Sequence, residues 1–313
     1  MSRTAQANTT TGDALLHRVM LGTVTSVPCC IFLFINVTML FTLRSKAVFR
    51  ESSRYILLFN LLVADTMQIT LGQILYILSV CRTRLSYPVC GVLVMLSNIT
   101  IEVSPLTLVV MSLERYVAVC QPLRHATIIT ITNTALAIMV VWAISSLNIL
   151  VHVLLMLDFP FKDLDTLQMK EFCTSHAMFL GPMSYDYDRA FTCLVFVSAA
   201  AVIISTYIGV MVAARSASTD KASARKARNT LLLHLVQLGL ILLSTIHNSV
   251  VGSIARIVTR PILLIILNTL YVLVIMLPRC LSSLIYGLRD KTIRPVLLYH
   301  LCCRLKLKAG VSP

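Results

Sequence analysis

Residues 90–126 read CGVLVMLSNITIEVSPLTLVVMSLERYVAVCQPLRHA. The first two thirds form an apolar run whose one charged residue is Glu102, and the run ends at Glu114, Arg115 and Tyr116. Roughly 20 apolar helical residues cross about 30 Å of hydrocarbon, and only a helix or a closed barrel can do so with its backbone hydrogen bonds satisfied. The acid and its neighbouring, permanently charged guanidinium therefore fall where the helix leaves the membrane, a place where partial desolvation makes their pairing valuable. The segment reads as a membrane span with an ionic pair at one end.

Six further stretches have the same character, at residues 19–43, 55–80, 132–157, 190–214, 229–255 and 262–288, with 90–113 as the third of seven. The first, fourth and fifth contain no Asp, Glu, Lys or Arg, whereas barrel strands would show short alternating segments. Composition agrees: 57% of the 313 residues are apolar or aromatic and 13% are charged, where a soluble fold needs about a quarter charged to cover its surface. The expected architecture is an all-α bundle of seven transmembrane helices over residues 19–288, with an extracellular segment 1–18 and a cytoplasmic tail 289–313. Residues 1–18 are polar and lack an apolar core ending in a cleavage site, so the first span reads as an uncleaved signal anchor.

The formal charge of +14 raises the question of nucleic acid until it is divided across the membrane. Seventeen Lys and Arg residues fall on the side that holds Arg115 and the tail, and nine on the other. The richer side is cytoplasmic and the amino terminus faces outside. With the acids counted, the inner face carries +13, the outer face +2 and the membrane interior −1. The inner surplus orients the helices and meets anionic lipid, so no nucleic-acid partner is needed. No HExxH, GxSxG, Walker A or GxGxxG sequence occurs, and no repeated halves or broken spans suggest a transporter or channel. The expectation is a receptor and not an enzyme.

The run MSLERYVAVCQPLRHA, residues 111–126, resembles the Glu/Asp-Arg-Tyr motif of rhodopsin-like G-protein-coupled receptors, and its extension resembles the odorant-receptor family. KARNTLLLHL at 226–235 is similar to that family's start of span six, and LPRCLSSLIYGLRD at 277–290 to the end of span seven in its fish-type members. Asn36 and the Leu62–Asp65 segment fit the receptor pattern in spans one and two. The resemblance implies a plasma-membrane receptor that binds a small-molecule odorant in the outer half of the bundle. It implies coupling to a heterotrimeric G protein of the stimulatory, olfactory type. A related receptor with a non-olfactory role is the alternative. Span seven has no lysine for retinal, and the outer half of span three lacks the aspartate of ordinary amine receptors.

The same resemblance assigns roles to residues. Glu114, Arg115 and Tyr116 form the activation switch, with Tyr207 and Tyr286 near it. Many relatives add an acid at the foot of span six, but here that foot reads Ala224, Arg225, Lys226 and Arg228, so no acidic latch can form. Asp65 faces Asn36 and span seven, where relatives bind sodium and water. The Asn-Pro-x-x-Tyr pattern of relatives is here Ser282, Ser283, Leu284, Ile285 and Tyr286, which loses the proline, and Pro278 is left to bend the helix. Arg279 is a second rare intramembrane charge, and two readings stand: it replaces sodium as the counter-charge of Asp65, or it snorkels and pairs elsewhere. Cys90 and Cys173 match the family disulfide, with Cys81 as the rival partner.

Glu102 lies at ligand depth and could hold a polar or cationic odorant or bond to neighbouring helices; Asn98 is one turn outward on the same face. Thr245, Asn248 and Ser249 on span six and Tyr271 on span seven are the candidate polar contacts across the bundle. Asn8 is the N-x-Thr sequon placed for glycosylation. Residues 291–301 could form an amphipathic helix on the inner leaflet, although Pro295 interrupts it, and Cys302 and Cys303 are candidate palmitoylation sites.

Overall fold

The computed structural model of the chain describes residues 2–81, 83–157, 182–216, 269–290 and 292–306, short stretches between 228 and 240, and residues 169, 173 and 266. Most of the expected sixth span, with Thr245, Asn248 and Ser249, lies outside the described residues, as do Ala224, Arg225 and Lys226. So do the side chains of Asn8, Ser282, Cys302 and Cys303, although their backbone is helical.

All the regular elements described are helical: α1 Ser2–Ser45, α2 Ala47–Arg50, α3 Ser53–Val80, α4 Tyr87–Cys120, α5 Pro122–Ile128, α6 Ile131–Leu157, α7 Pro182–Ser216, a π-helical turn Tyr271–Met276, α8 Leu277–Arg289 and α9 Ile293–Lys306. Among the described residues five helices are long and apolar enough to cross a membrane: Gly22–Ser45, Ser53–Val80, Tyr87–Cys120, Ile131–Met156 and Asp186–Ala213. They coincide with the first five expected spans, and Tyr271–Gly287 is the shorter inner part of the seventh. The first helix starts earlier than expected, with the polar residues before the span continuing it back to Ser2.

The packing puts α4 at the centre, against α3, α5, α6 and α7. Outward-facing apolar side chains recur along the peripheral helices, as at Leu136, Met139, Val140, Leu147, Leu150 and Leu154 on α6. Steps of three and four place them on one face, the face for lipid. The main core lies towards the end of the bundle that holds Arg115, where Leu58, Leu61 and Leu62 of α3 are fully buried against Leu108 and Met111 of α4, Ile203 of α7 and Tyr286 of α8. Lipid tails are as apolar as leucine, so such contacts hold helices together by close packing, supplemented by polar links. One link joins three helices: Trp142 Nε1 donates to Asn60 Oδ1 at 2.9 Å, and Asn60 Nδ2 donates to Thr107 Oγ1 at 3.0 Å.

Span seven changes its winding just before Pro278. The proline ring excludes the regular bond to the carbonyl of Val274, and the backbone answers with the wider turn at Tyr271–Met276 before α8 begins. Beyond α8, the Asp290 carboxylate accepts the amides of Thr292 at 2.9 Å and Ile293 at 3.4 Å, which starts α9. Pro295 thus falls in the first turn, where its missing N–H has no helical partner to lose, and does not interrupt the helix. The helix turns Ile293 and Leu297 into the core, and Leu297 packs so close to Gly287 that a Cβ there would lie 2.5 Å from it.

At the outer end Cys90 and Cys173 form a disulfide, while Cys81 is an exposed free thiol. Cys173 and Met169 are buried with Cys90 and Val94, and Met169 N donates to the Leu85 carbonyl at 3.0 Å. The bridge ties the chain after α6 to the head of α4. Cys173→Ser is expected to cost about 2–4 kcal/mol and most of the surface-expressed protein, measured by surface labelling of intact cells and by the thermal midpoint of purified protein.

Candidate signalling and ligand sites

At the inner end of α4, Arg115 Nε lies 3.0 Å from Glu114 Oε2. Both side chains are largely buried, so the pair is desolvated and closely held. The other carboxylate oxygen faces His125 Nε2 of α5 at 4.0 Å. Arg115 Nη2 is buried without a hydrogen-bond partner among the described residues, so the guanidinium keeps a donor in reserve. Arg54, Tyr286 and Asp290 lie within its electrostatic range. Arg54 itself bridges to Asp290 at 3.0 Å and lies over the Tyr55 ring, whose hydroxyl donates to the same carboxylate at 3.4 Å. Asp290 therefore ties α3 to the α8–α9 corner, a role its place in the sequence did not suggest.

Tyr116 and Tyr207 share one apolar cluster with Val119, Cys120 and Val210. The Tyr116 ring rests on Gly209, where any side chain would collide with it. This glycine, unremarked in the sequence, sets how closely α7 approaches the switch.

In mid-membrane Asp65 has no exposed surface and Arg279 is 3% exposed. Arg279 Nη1 donates to Asp65 Oδ1 at 3.2 Å and to Ser104 Oγ at 3.3 Å, and Ser104 Oγ donates to the same Asp65 oxygen at 2.7 Å. Of the two readings of Arg279, the geometry places it on Asp65. The residues do not fit a bound sodium ion: the guanidinium already supplies the positive charge on the oxygen that also takes the Ser104 hydroxyl. Asn36 belongs to a neighbouring contact, since its Oδ1 accepts from Ser283 Oγ at 2.5 Å. Ser283 thus takes part in the expected polar network, and so does Ser104, which was not foreseen.

In the outer half, Asn148 Nδ2 of α6 donates to Glu102 Oε1. His152 Nε2 of α6 lies 3.5 Å from Asp188 Oδ1 at the head of α7, and its ring meets Tyr187 edge-on at 5.2 Å. Asp188 and Tyr187 are both within electrostatic range of Glu102. Asn98, one turn outward from Glu102, has its Nδ2 buried without a hydrogen-bond partner among the described residues. Tyr271 does not join them. It stacks on Tyr76 at 4.7 Å and packs with Cys29, Ile69 and Met276 on the side of α1 and α3. Asn148, the neighbour of Glu102 missed in the sequence, and His152, the neighbour of Asp188, share one legible signal: two polar residues four apart, on one face of a span otherwise rich in leucine, isoleucine and valine.

A bundle of apolar helices with a buried acid–arginine pair at one end of its central helix suits a membrane receptor, and the chain belongs to the rhodopsin family of seven-transmembrane receptors, whose family model matches residues 35–286. Its similarity is narrower still. The chain is 32% identical to Odorant receptor 131-2 of Danio rerio over 287 residues, which covers 87% of this chain and 83% of that one, and this places it in the odorant-receptor branch. It is 30% identical to Olfactory receptor 2AJ1 of Homo sapiens over 167 residues, half of each chain, and 31% identical to the human Olfactory receptor 56A4 over 109 residues, about a third of each.

Proposed function

We propose that the protein is an odorant receptor of the plasma membrane, a multi-pass protein with its amino terminus outside. A small molecule binds in the outer half of the bundle and biases a two-state equilibrium. The favoured state opens the cytoplasmic face beside Arg115 to a heterotrimeric G protein of the stimulatory, olfactory type, which raises cyclic AMP. The observation that carries the reading is the buried Glu114–Arg115 pair at the foot of α4, in a chain similar along most of its length to an odorant receptor. With no acid at the foot of span six, the resting state rests on that pair and on packing. We further propose that Arg279 stands in for sodium at Asp65. Cells expressing the receptor with the olfactory stimulatory G protein are expected to raise cyclic AMP in response to a broad odorant mixture. Ligand-driven uptake or current that needs no G protein would overturn the proposal in favour of a transporter or channel.

A further inference from the structure

We propose that Glu102 and Asn148 anchor a site for a primary amine, bound as its ammonium ion between α4, α6 and α7. The proposal rests on the odorant-receptor reading and names the ligand class. Asn148 is 3% exposed and spends one amide N–H on Glu102 Oε1. What remains are two buried acceptors, Glu102 Oε2 and Asn148 Oδ1, neither with a hydrogen-bond partner among the described residues. Among the same residues no Lys, Arg or His forms an ion pair with Glu102.

Buried acceptors without donors are costly, and a buried carboxylate without a cation is more so. With Glu102 ionised, a ligand that brings positive charge and at least two N–H groups relieves both. A primary ammonium has three N–H donors and a full charge. An alcohol offers one donor and no charge, and a carboxylate offers acceptors alone and is repelled. The surroundings favour the same class. Asp188 adds negative potential, and Tyr187, stacked on Phe191 at 6.1 Å, supplies aromatic faces of the kind that attract ammonium groups.

The test uses the full receptor in cells with the stimulatory G protein, and short n-alkylamines, n-alcohols and n-alkanoic acids of matched chain length as probes. The wild type is expected to raise cyclic AMP with the amines and not with the matched alcohols or acids. Glu102→Gln, at equal surface expression, is expected to lower amine potency about 100-fold, while Glu102→Asp keeps the preference for amines. If Glu102→Gln fails to reach the surface, Asn148→Leu carries the test, with a fall of about tenfold expected. Unchanged amine potency in the variant that reaches the surface overturns the proposal. A wild type that answers alcohols or acids but not amines also overturns it, and leaves the odorant-receptor reading standing. Silence to all three series and to a broad odorant mixture overturns both.

Discussion

Arg279→Leu is expected to lose most of its surface expression, and Asp65→Asn combined with it to recover most of that loss. The wild-type pair is buried on both sides, at 0% and 3% exposure, with 3.2 Å between guanidinium nitrogen and carboxylate oxygen. Removing one partner of a buried pair strips the other of its counter-charge and costs about 3–5 kcal/mol, whereas replacing both with neutral groups of similar volume is often nearly neutral. The double variant therefore separates loss of charge balance from loss of packing volume. If both variants fall equally, the guanidinium acts through its bulk and the pairing does not matter. The same variants test the sodium question. Agonist response in the wild type is expected to be indifferent to sodium, and Arg279→Leu to acquire a sodium dependence as the carboxylate becomes available to a soluble cation. Unchanged sodium dependence in both would reject the substitution of one cation for the other.

How far the sequence foretells such contacts depends on what kind of fact they are. The first five spans emerge near their expected places because bilayer thickness and backbone satisfaction fix the length of an apolar helix with little regard to its neighbours. The Glu114–Arg115 pair is legible for a similar reason, being formed by adjacent residues at a predictable depth. Which residues meet across the bundle depends on the rotation of each helix about its axis, and a uniformly apolar span records that poorly. Span seven shows the difficulty. Between Tyr271 and Ser282 the chain passes through a π-helical turn, so positions counted at about 3.6 residues per turn no longer keep one face. Tyr271 turns to Tyr76, and Ser283 reaches Asn36. The Asp65–Arg279 pairing is nonetheless legible as one of two readings, because two lone charges in hydrocarbon have few alternatives to one another. Asn148 is less legible because an amide among leucines carries no charge that demands a partner.

Arg115→Ala is expected to reach the cell surface and bind odorant with little change while losing nearly all G-protein signalling. The folding cost is limited because the carboxylate left behind still faces His125 of α5 at 4.0 Å, and because the core around it is made by other residues, Leu108, Met111 and Ile203 among them. The signalling cost is large because Arg115 is the one group at the foot of α4 that combines a permanent charge with a buried, unspent donor in Nη2. In the resting arrangement Glu114 holds it, and Arg54 and Asp290 define the field around it. Release requires a partner that outbids one carboxylate, which a G protein entering the opened face can supply with acceptors of its own. Glu114→Gln provides the opposite arm: with the carboxylate neutralised the arginine is held less firmly, and basal cyclic AMP is expected to rise without odorant. Alanine at position 115 must abolish that rise in the double variant, since the gain acts through the arginine. Normal cyclic-AMP output from Arg115→Ala, or a basal rise that survives its removal, would take the switch away from this residue. In that case the clustered Tyr116 and Tyr207, packed on Gly209, would be the next place to look for it.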